Sequence, residues 1–266
     1  MAELPCWEVW GVRVGRAQRQ ARDNFLRPGD RTGTAGIDFI VWVAASGDHV
    51  LVVDTAFSAE AGARRGRVLD TRPADAVRAL GFDPAEVRHV VLTHLHYDHA
   101  GNVGDFPGAE VVVQRAELAY AAGPSMRHRS LSHFYEPDDV VGIVRDLYTG
   151  TVLAPDGDLT LAPGLELHLV GGHTRGTQVV RVHTARGWVV LAGDAVHFYD
   201  NLAERNPFPA VVDVETVLDG YQRIERLADS TAHIVPGHDP QVFDRYERVD
   251  VSLPVAALHR PPKGPR

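Results

Sequence analysis

At 266 residues and 44% hydrophobic content, the chain is long enough for one large domain or two small ones, with ample apolar material for a core. A net charge of −8 argues against nucleic acid as a partner, and the single cysteine, Cys6, excludes an intrachain disulfide. No apolar run approaches the roughly eighteen residues of a spanning helix, and the first residues lack the basic start of a signal peptide, so the expectation is a cytoplasmic protein without membrane contact.

In chain order, residues 7–14, 37–45 and 50–54 read as strands, the last two joined through a Ser46-Gly47-Asp48 turn. Residues 71–80 read as a helix, with Thr71 as N-cap, Pro73 in the first turn and Gly81 as the stop. A β-branched run at 90–93 is the next strand, followed by a strand at 110–114 and a helix at 115–122. From 123 to 150 the pattern loosens, as in a lid, a substrate-binding segment or a surface helical insertion. Strands resume near 159–161, 165–170, 178–183 and 188–192, then come an amphipathic helix at 214–228 and a last strand at 233–235. The proline-rich tail, 254–266, is expected to be loosely ordered. No linker divides the chain, so residues 1–253 read as a single domain of two packed sheets with helices outside.

The chemistry concentrates at 93–102, Thr-His-Leu-His-Tyr-Asp-His-Ala-Gly-Asn, which holds three imidazoles and a carboxylate within six residues directly after a strand. On extended backbone His94 and His96 share a face and can converge on one ion. Asp98 and His99 follow once the chain turns, and they can point at a second centre. So dense a set of polar, desolvated groups calls for a cation. Imidazole with carboxylate and no thiolate favours zinc or a similar divalent ion.

Four loop ligands for two ions require more ligands downstream, and three strand-end segments supply them: Gly-Gly-His173-Thr, Ala-Gly-Asp194 and Pro-Gly-His238-Asp. Each ligand stands beside a glycine, which permits a sharp turn close to an ion. This set, with the span from about Phe39 to Asp239, resembles the metallo-β-lactamase superfamily. The resemblance implies an α+β fold, an αβ/βα four-layer sandwich of two mixed β-sheets with helices on the outer faces and metal at one edge. It also implies His94, His96 and His173 on one zinc ion, Asp98, His99 and His238 on the other, and Asp194 bridging both, with Asp54 bracing the loop. Such a pair bridges a water and turns it into hydroxide for attack on a carbonyl, while Asp98 can also carry a proton.

Within the superfamily, the bridging Asp194 and the motif Gly-Gly-His-Thr-Arg-Gly-Thr-Gln around His173 are similar to the N-acyl-homoserine lactonases, implying a zinc-dependent hydrolase that opens a lactone or related cyclic ester. Those lactonases have a tyrosine three residues after the bridging aspartate; here the position is His197, a candidate for contact with the substrate carbonyl. Tyr97, Phe134, Tyr135, Phe198 and Tyr199, with Phe25, are the candidate pocket walls for a small-molecule substrate, and a homodimer is possible. His128 and His133 lie in the 123–150 segment, where they could touch substrate; His49, His89, His168, His183, His233 and His259 read as structural. A glyoxalase II-like thioesterase, a mononuclear iron persulfide-type dioxygenase and a non-catalytic metal-binding protein remain alternatives.

Overall fold

Valine-rich runs set the two sheets. The computed structural model describes residues 4–263. In chain order its strands are β1 (Glu8–Gln20), β2 (Thr34–Ser46), β3 (His49–Val53), β4 (His89–Val91), β5 (Glu110–Val112), β6 (Val152–Leu153), β7 (Leu159–Ala162), β8 (Leu165–Leu169), β9 (Gln178–Thr184), β10 (Gly187–Gly193), β11 (Ile234–Pro236) and β12 (Val255–Ala257). One sheet has seven strands in the order β12-β1-β2-β3-β4-β5-β6, and the other has five in the order β11-β10-β9-β8-β7.

Alternation along β2 explains how the layers stack. Phe39, Val41 and Val43 enter a core shared with helix residues such as Val77, Leu118 and Ile143, whereas Ile40, Trp42 and Ala44 enter the core between the sheets with Leu167, Val180 and Leu191. The outer face of the second sheet packs Val179 and Val190 against Val217, Tyr221 and Ile224 of the helix Val214–Leu227. The result is the four-layer αβ/βα sandwich expected from the sequence.

From β3 to β6 the strands run parallel, as do β10 and β11. Ligands of open parallel sheets gather beyond the carboxyl ends of the strands. Asp54 follows β3, His94 follows β4, Asp194 follows β10 and His238 follows β11, all at such ends.

Some boundaries differ from expectation. The tail does not loosen at residue 254: β12 pairs with β1, Val12 opposite Val255, and Val255, Ala256, Ala257 and Leu258 are buried. The flanking prolines hid a short apolar edge strand. Residues 264–266 of the expected tail lie outside the described residues. The 123–150 segment is largely helical, with a 3-10 turn Pro124–Arg127 and helices Arg129–Ser132 and Pro137–Thr149, the last ended by Gly150 at φ 79°. The helix expected at 71–80 runs Pro73–Ala79, with Arg72 rather than Thr71 at its N-cap position, and a further helix, Ala59–Arg64, precedes it. Strands β1 and β2 continue as a paired ribbon past their apolar parts, through a register shift between Arg13 and Gly15. Among the described residues no helix is long and apolar enough to cross a membrane.

Candidate metal centre

The loop after β4 is held by Asp54, whose backbone takes the left-handed conformation at φ 60°. Its Oδ1 accepts from the Thr93 amide at 2.7 Å, and its Oδ2 accepts from Thr93 Oγ1 at 2.8 Å and from His99 Nδ1 at 2.7 Å. The single hydroxyl proton of Thr93 is thereby used, so the 3.1 Å contact between Thr93 Oγ1 and His94 Nδ1 has the imidazole as donor. His173 Nδ1 donates to the Ala210 carbonyl at 2.5 Å, and His238 Nδ1 to the Asp38 carbonyl at 2.7 Å. Each of these outer hydrogen bonds orients its ring and turns Nε2 of His94, His99, His173 and His238 inward, the atom each neutral ring would offer to a cation.

Those nitrogens meet one another. His173 Nε2 lies 3.2 Å from His94 Nε2 and 3.0 Å from His96 Nδ1. Asp194 stands between two groups: its Oδ2 is 3.2 Å from His173 Nε2 and 3.8 Å from His94 Nε2, and its Oδ1 is 3.2 Å from His99 Nε2 and 2.9 Å from His238 Nε2. Asp98 completes the second group, 3.8 Å from His99 Nε2 and 3.9 Å from His238 Nε2. Tetrahedral zinc with bonds of about 2.0–2.1 Å sets its ligand atoms roughly 3.3 Å apart, so both groups have the size of a metal's ligand shell. His99 Nε2 and Asp194 Oδ1 are buried without a hydrogen-bond partner, which a shared cation resolves. The residues present therefore fit metal.

Electrostatics agree with that fit. Burial, reinforced by the neighbouring imidazoles, holds His94 and His96 well below the ordinary imidazole range, so both are neutral ligands. Burial also opposes charge on His99 and His238, yet Asp194 and Asp98, with Asp54 at His99, hold them above that range. The carboxylates favour positive charge at this point of the fold.

Glycine at 172 and 237 has a specific cause. Gly172 has φ 87°, and a Cβ there would lie 2.5 Å from Val217 Cγ2; a Cβ on Gly237 would lie 2.7 Å from the Gly193 carbonyl carbon. The loops bearing His173, Asp194 and His238 are packed closer than any side chain allows.

Two cavities flank the cluster and share His96, Phe134, His173 and Ala210. The smaller, about 130 Å³, also meets Tyr97, Asp98, Asp194 and His197; the larger, about 180 Å³, also meets Tyr135 and His133. The Phe134 ring stacks on His96 at 5.0 Å. His197 is buried, its Nε2 3.0 Å from Asp194 Oδ2 and its ring stacked on Phe208 at 3.9 Å. Burial pushes its pKa down to about 3, against the pull of Asp194, so it is neutral and donates to that carboxylate.

Other candidates lie elsewhere. Phe198 packs with Ile37 and Phe208, Tyr199 packs against the core between the sheets beneath the Arg245 guanidinium, and Phe25 sits under Arg31; none lines either cavity. The helix Tyr199–Ala203 begins at this point, with Phe198 at its N-cap position. His128 is exposed. His49 and His89 bond each other at 3.0 Å, His168 lies 3.0 Å from both Asp158 and Glu166, and His183, His233 and His259 bond backbone carbonyls.

Sequence reasoning missed Glu117. Fully buried on the helix Arg115–Ala121, it accepts from the Leu95 amide at 3.0 Å, the Gly176 amide at 3.0 Å, Thr174 Oγ1 at 2.5 Å and Tyr135 Oη at 3.1 Å. It ties the His94 and His173 loops to the helical segment. A glutamate one turn into a helix has no sequence signature that separates it from a solvated one.

Residues 35–246 match the metallo-beta-lactamase superfamily. The chain belongs to this superfamily. Among its superfamily relatives, the N-acyl homoserine lactonase AttM of Rhizobium johnstonii is 33% identical over 182 residues, which span 65% of this chain and 66% of that protein, less than two thirds of its length. A probable metallo-hydrolase of Mycobacterium tuberculosis is 32% identical over 224 residues, 76% of this chain and 72% of that protein. A quorum-quenching N-acyl homoserine lactone lactonase of known structure superposes with a TM-score of 0.74 at 23% identity, covering 91% of this chain and 95% of its own, which establishes the shared fold.

Proposed function

We propose that this superfamily member is a dinuclear zinc-dependent hydrolase that opens a lactone or a related cyclic ester. The observation that carries the reading is the Asp194 carboxylate, with one oxygen turned to His94 and His173 and the other to His99 and His238. His94, His96 and His173 would hold one ion and Asp98, His99 and His238 the other, with Asp194 reaching both. When bound, such a pair lowers the pKa of a water and polarises a carbonyl oxygen. The nitrogen and oxygen donors, without sulfur, favour zinc.

The side chains supply the rest. Asp98 faces the smaller cavity, where its carboxylate can take a proton from water and return it to the departing alkoxide. His197 is a positioning residue: its Nε2–H holds Asp194 Oδ2, and stacking on Phe208 fixes its ring. Phe134 and Tyr97 form the aromatic wall of the cavity beside the reacting ester. The lactone class is supported by the similarity to AttM.

The test is acid release by zinc-loaded protein from matched lactone, linear ester, thioester and β-lactam substrates. The reading predicts fastest turnover on a lactone. Turnover of the thioester alone, or none with two ions bound, contradicts it.

A further inference from the structure

The smaller cavity carries a charge pattern that a neutral lactone does not use. Arg19, on β1, and Arg67, just after the helix Ala59–Arg64, both line it beside Tyr97 and the His/Asp cluster. Neighbouring guanidiniums are paired: Arg64 and Arg65 with Glu136, and Arg13 with Asp38 at 3.4 Å. Arg19 and Arg67 have no carboxylate within 4.0 Å among the described residues, although Asp98 and Asp194 line the same cavity. Arg67 Nε is buried without a hydrogen-bond partner.

Position matters as much as charge. One Arg19 nitrogen donates to the Asp23 carbonyl at 2.8 Å, and the guanidinium lies over the Phe208 ring, 4.7 Å from its centroid. That same ring stacks on His197, whose Nε2 reaches Asp194. Arg19 is therefore linked to Asp194 through two stacked rings, Phe208 and His197. Burial disfavours the charge of Arg19, the Asp23 carboxylate partly offsets that, and the charge of Arg67 adds to the cost. Two like charges on one part-buried cavity wall, one with an unused buried donor, are relieved by an anion that accepts from both.

We propose that Arg19 and Arg67 form an anion subsite and that the substrate is an ester or lactone bearing a carboxylate. This inference rests on the hydrolase reading for the ester and on the two arginines for the anion. A volume of about 130 Å³ limits the charged arm to a carboxylate on a short stem. The second cavity, about 180 Å³ and walled by Leu131, Phe134, Tyr135, Pro209 and Val211, takes an apolar arm on the far side of His96. The scissile ester spans the two.

The experiment uses γ-butyrolactone and β-carboxy-γ-butyrolactone, together with the ring-opened acid of each, on zinc-loaded protein. Calorimetry on the ring-opened acids reads the subsite without turnover, and acid release from the lactones reads hydrolysis. The wild type should bind the acid derived from the carboxylated lactone, and turn over that lactone, roughly tenfold or more better than the plain counterpart, the scale of a charge-assisted hydrogen bond. Arg19→Met and Arg67→Met should each shrink that preference, Arg67→Lys should keep part of it, and Arg226→Ala, exposed on the outer helix, should leave it intact. Equal binding of the two acids by the wild type, or a preference that survives in both methionine variants, overturns the subsite. Lactone turnover without the preference leaves the hydrolase reading standing and removes the subsite. An arginine-dependent binding preference without hydrolysis of either lactone does the reverse.

Discussion

Glu117 shows how much of this site depends on a residue that touches no metal. Four donors converge on one buried carboxylate, from the His94 loop, the His173 loop and Tyr135. Glu117→Gln turns one acceptor into a donor facing a donor, so we expect a loss of about 1–3 kcal/mol of stability, read by urea unfolding of metal-free protein. Zinc affinity should fall roughly 10- to 100-fold, the usual effect of losing support behind the ligands, read by competition with a chromogenic chelator. Unchanged affinity would mean that the loops hold their places without it. The cluster residues were legible because each follows a strand and stands beside a glycine or another ligand. Glu117, Arg19 and Arg67 were not, because only the folded chain brings them to the site from unrelated elements.

The helix Pro137–Thr149 begins with Asp138 and Asp139 in its first turn, where the helix dipole favours negative charge. Burial, with Glu136 and Asp138 close by, outweighs this and raises Asp139 from 3.8 to about 7, and its Oδ2 is buried without a partner. The folded chain therefore holds a proton that the unfolded chain releases between those two values, and stability falls as pH rises through that window. Asp139→Asn should raise the melting temperature at pH 8 and leave it nearly unchanged below pH 3.8; a lower melting temperature at pH 8 would show that the carboxylate is useful where it is. Elements with strong periodicity, such as Val214–Leu227, were readable from the chain. The 123–150 segment stayed open between a lid, a substrate-binding segment and the helical insertion that it largely is, and the edge strand β12 was missed because three apolar residues beside Pro254 carry no periodicity. Tertiary pairing supplied what local pattern lacked, as when β12 closes the sheet against β1.

Across the whole molecule, the centre sits where the parallel parts of both sheets end, so it depends on their packing. Gln178 in the second sheet links them: its amide donates to the Thr93 carbonyl at 2.9 Å and its side chain to the Leu92 carbonyl at 2.8 Å. The layered fold was legible from strand and helix order together with the spread of the His/Asp motifs. The charge of the cavity was not, since it depends on which arginines lack partners after folding. The central claim is a site for two ions joined by Asp194, and metal stoichiometry per chain, measured by elemental analysis of zinc-equilibrated protein, tests it most directly. The account predicts two ions in the wild type and fewer in Asp194→Ala. One ion in the wild type, or two retained in Asp194→Ala, would contradict it.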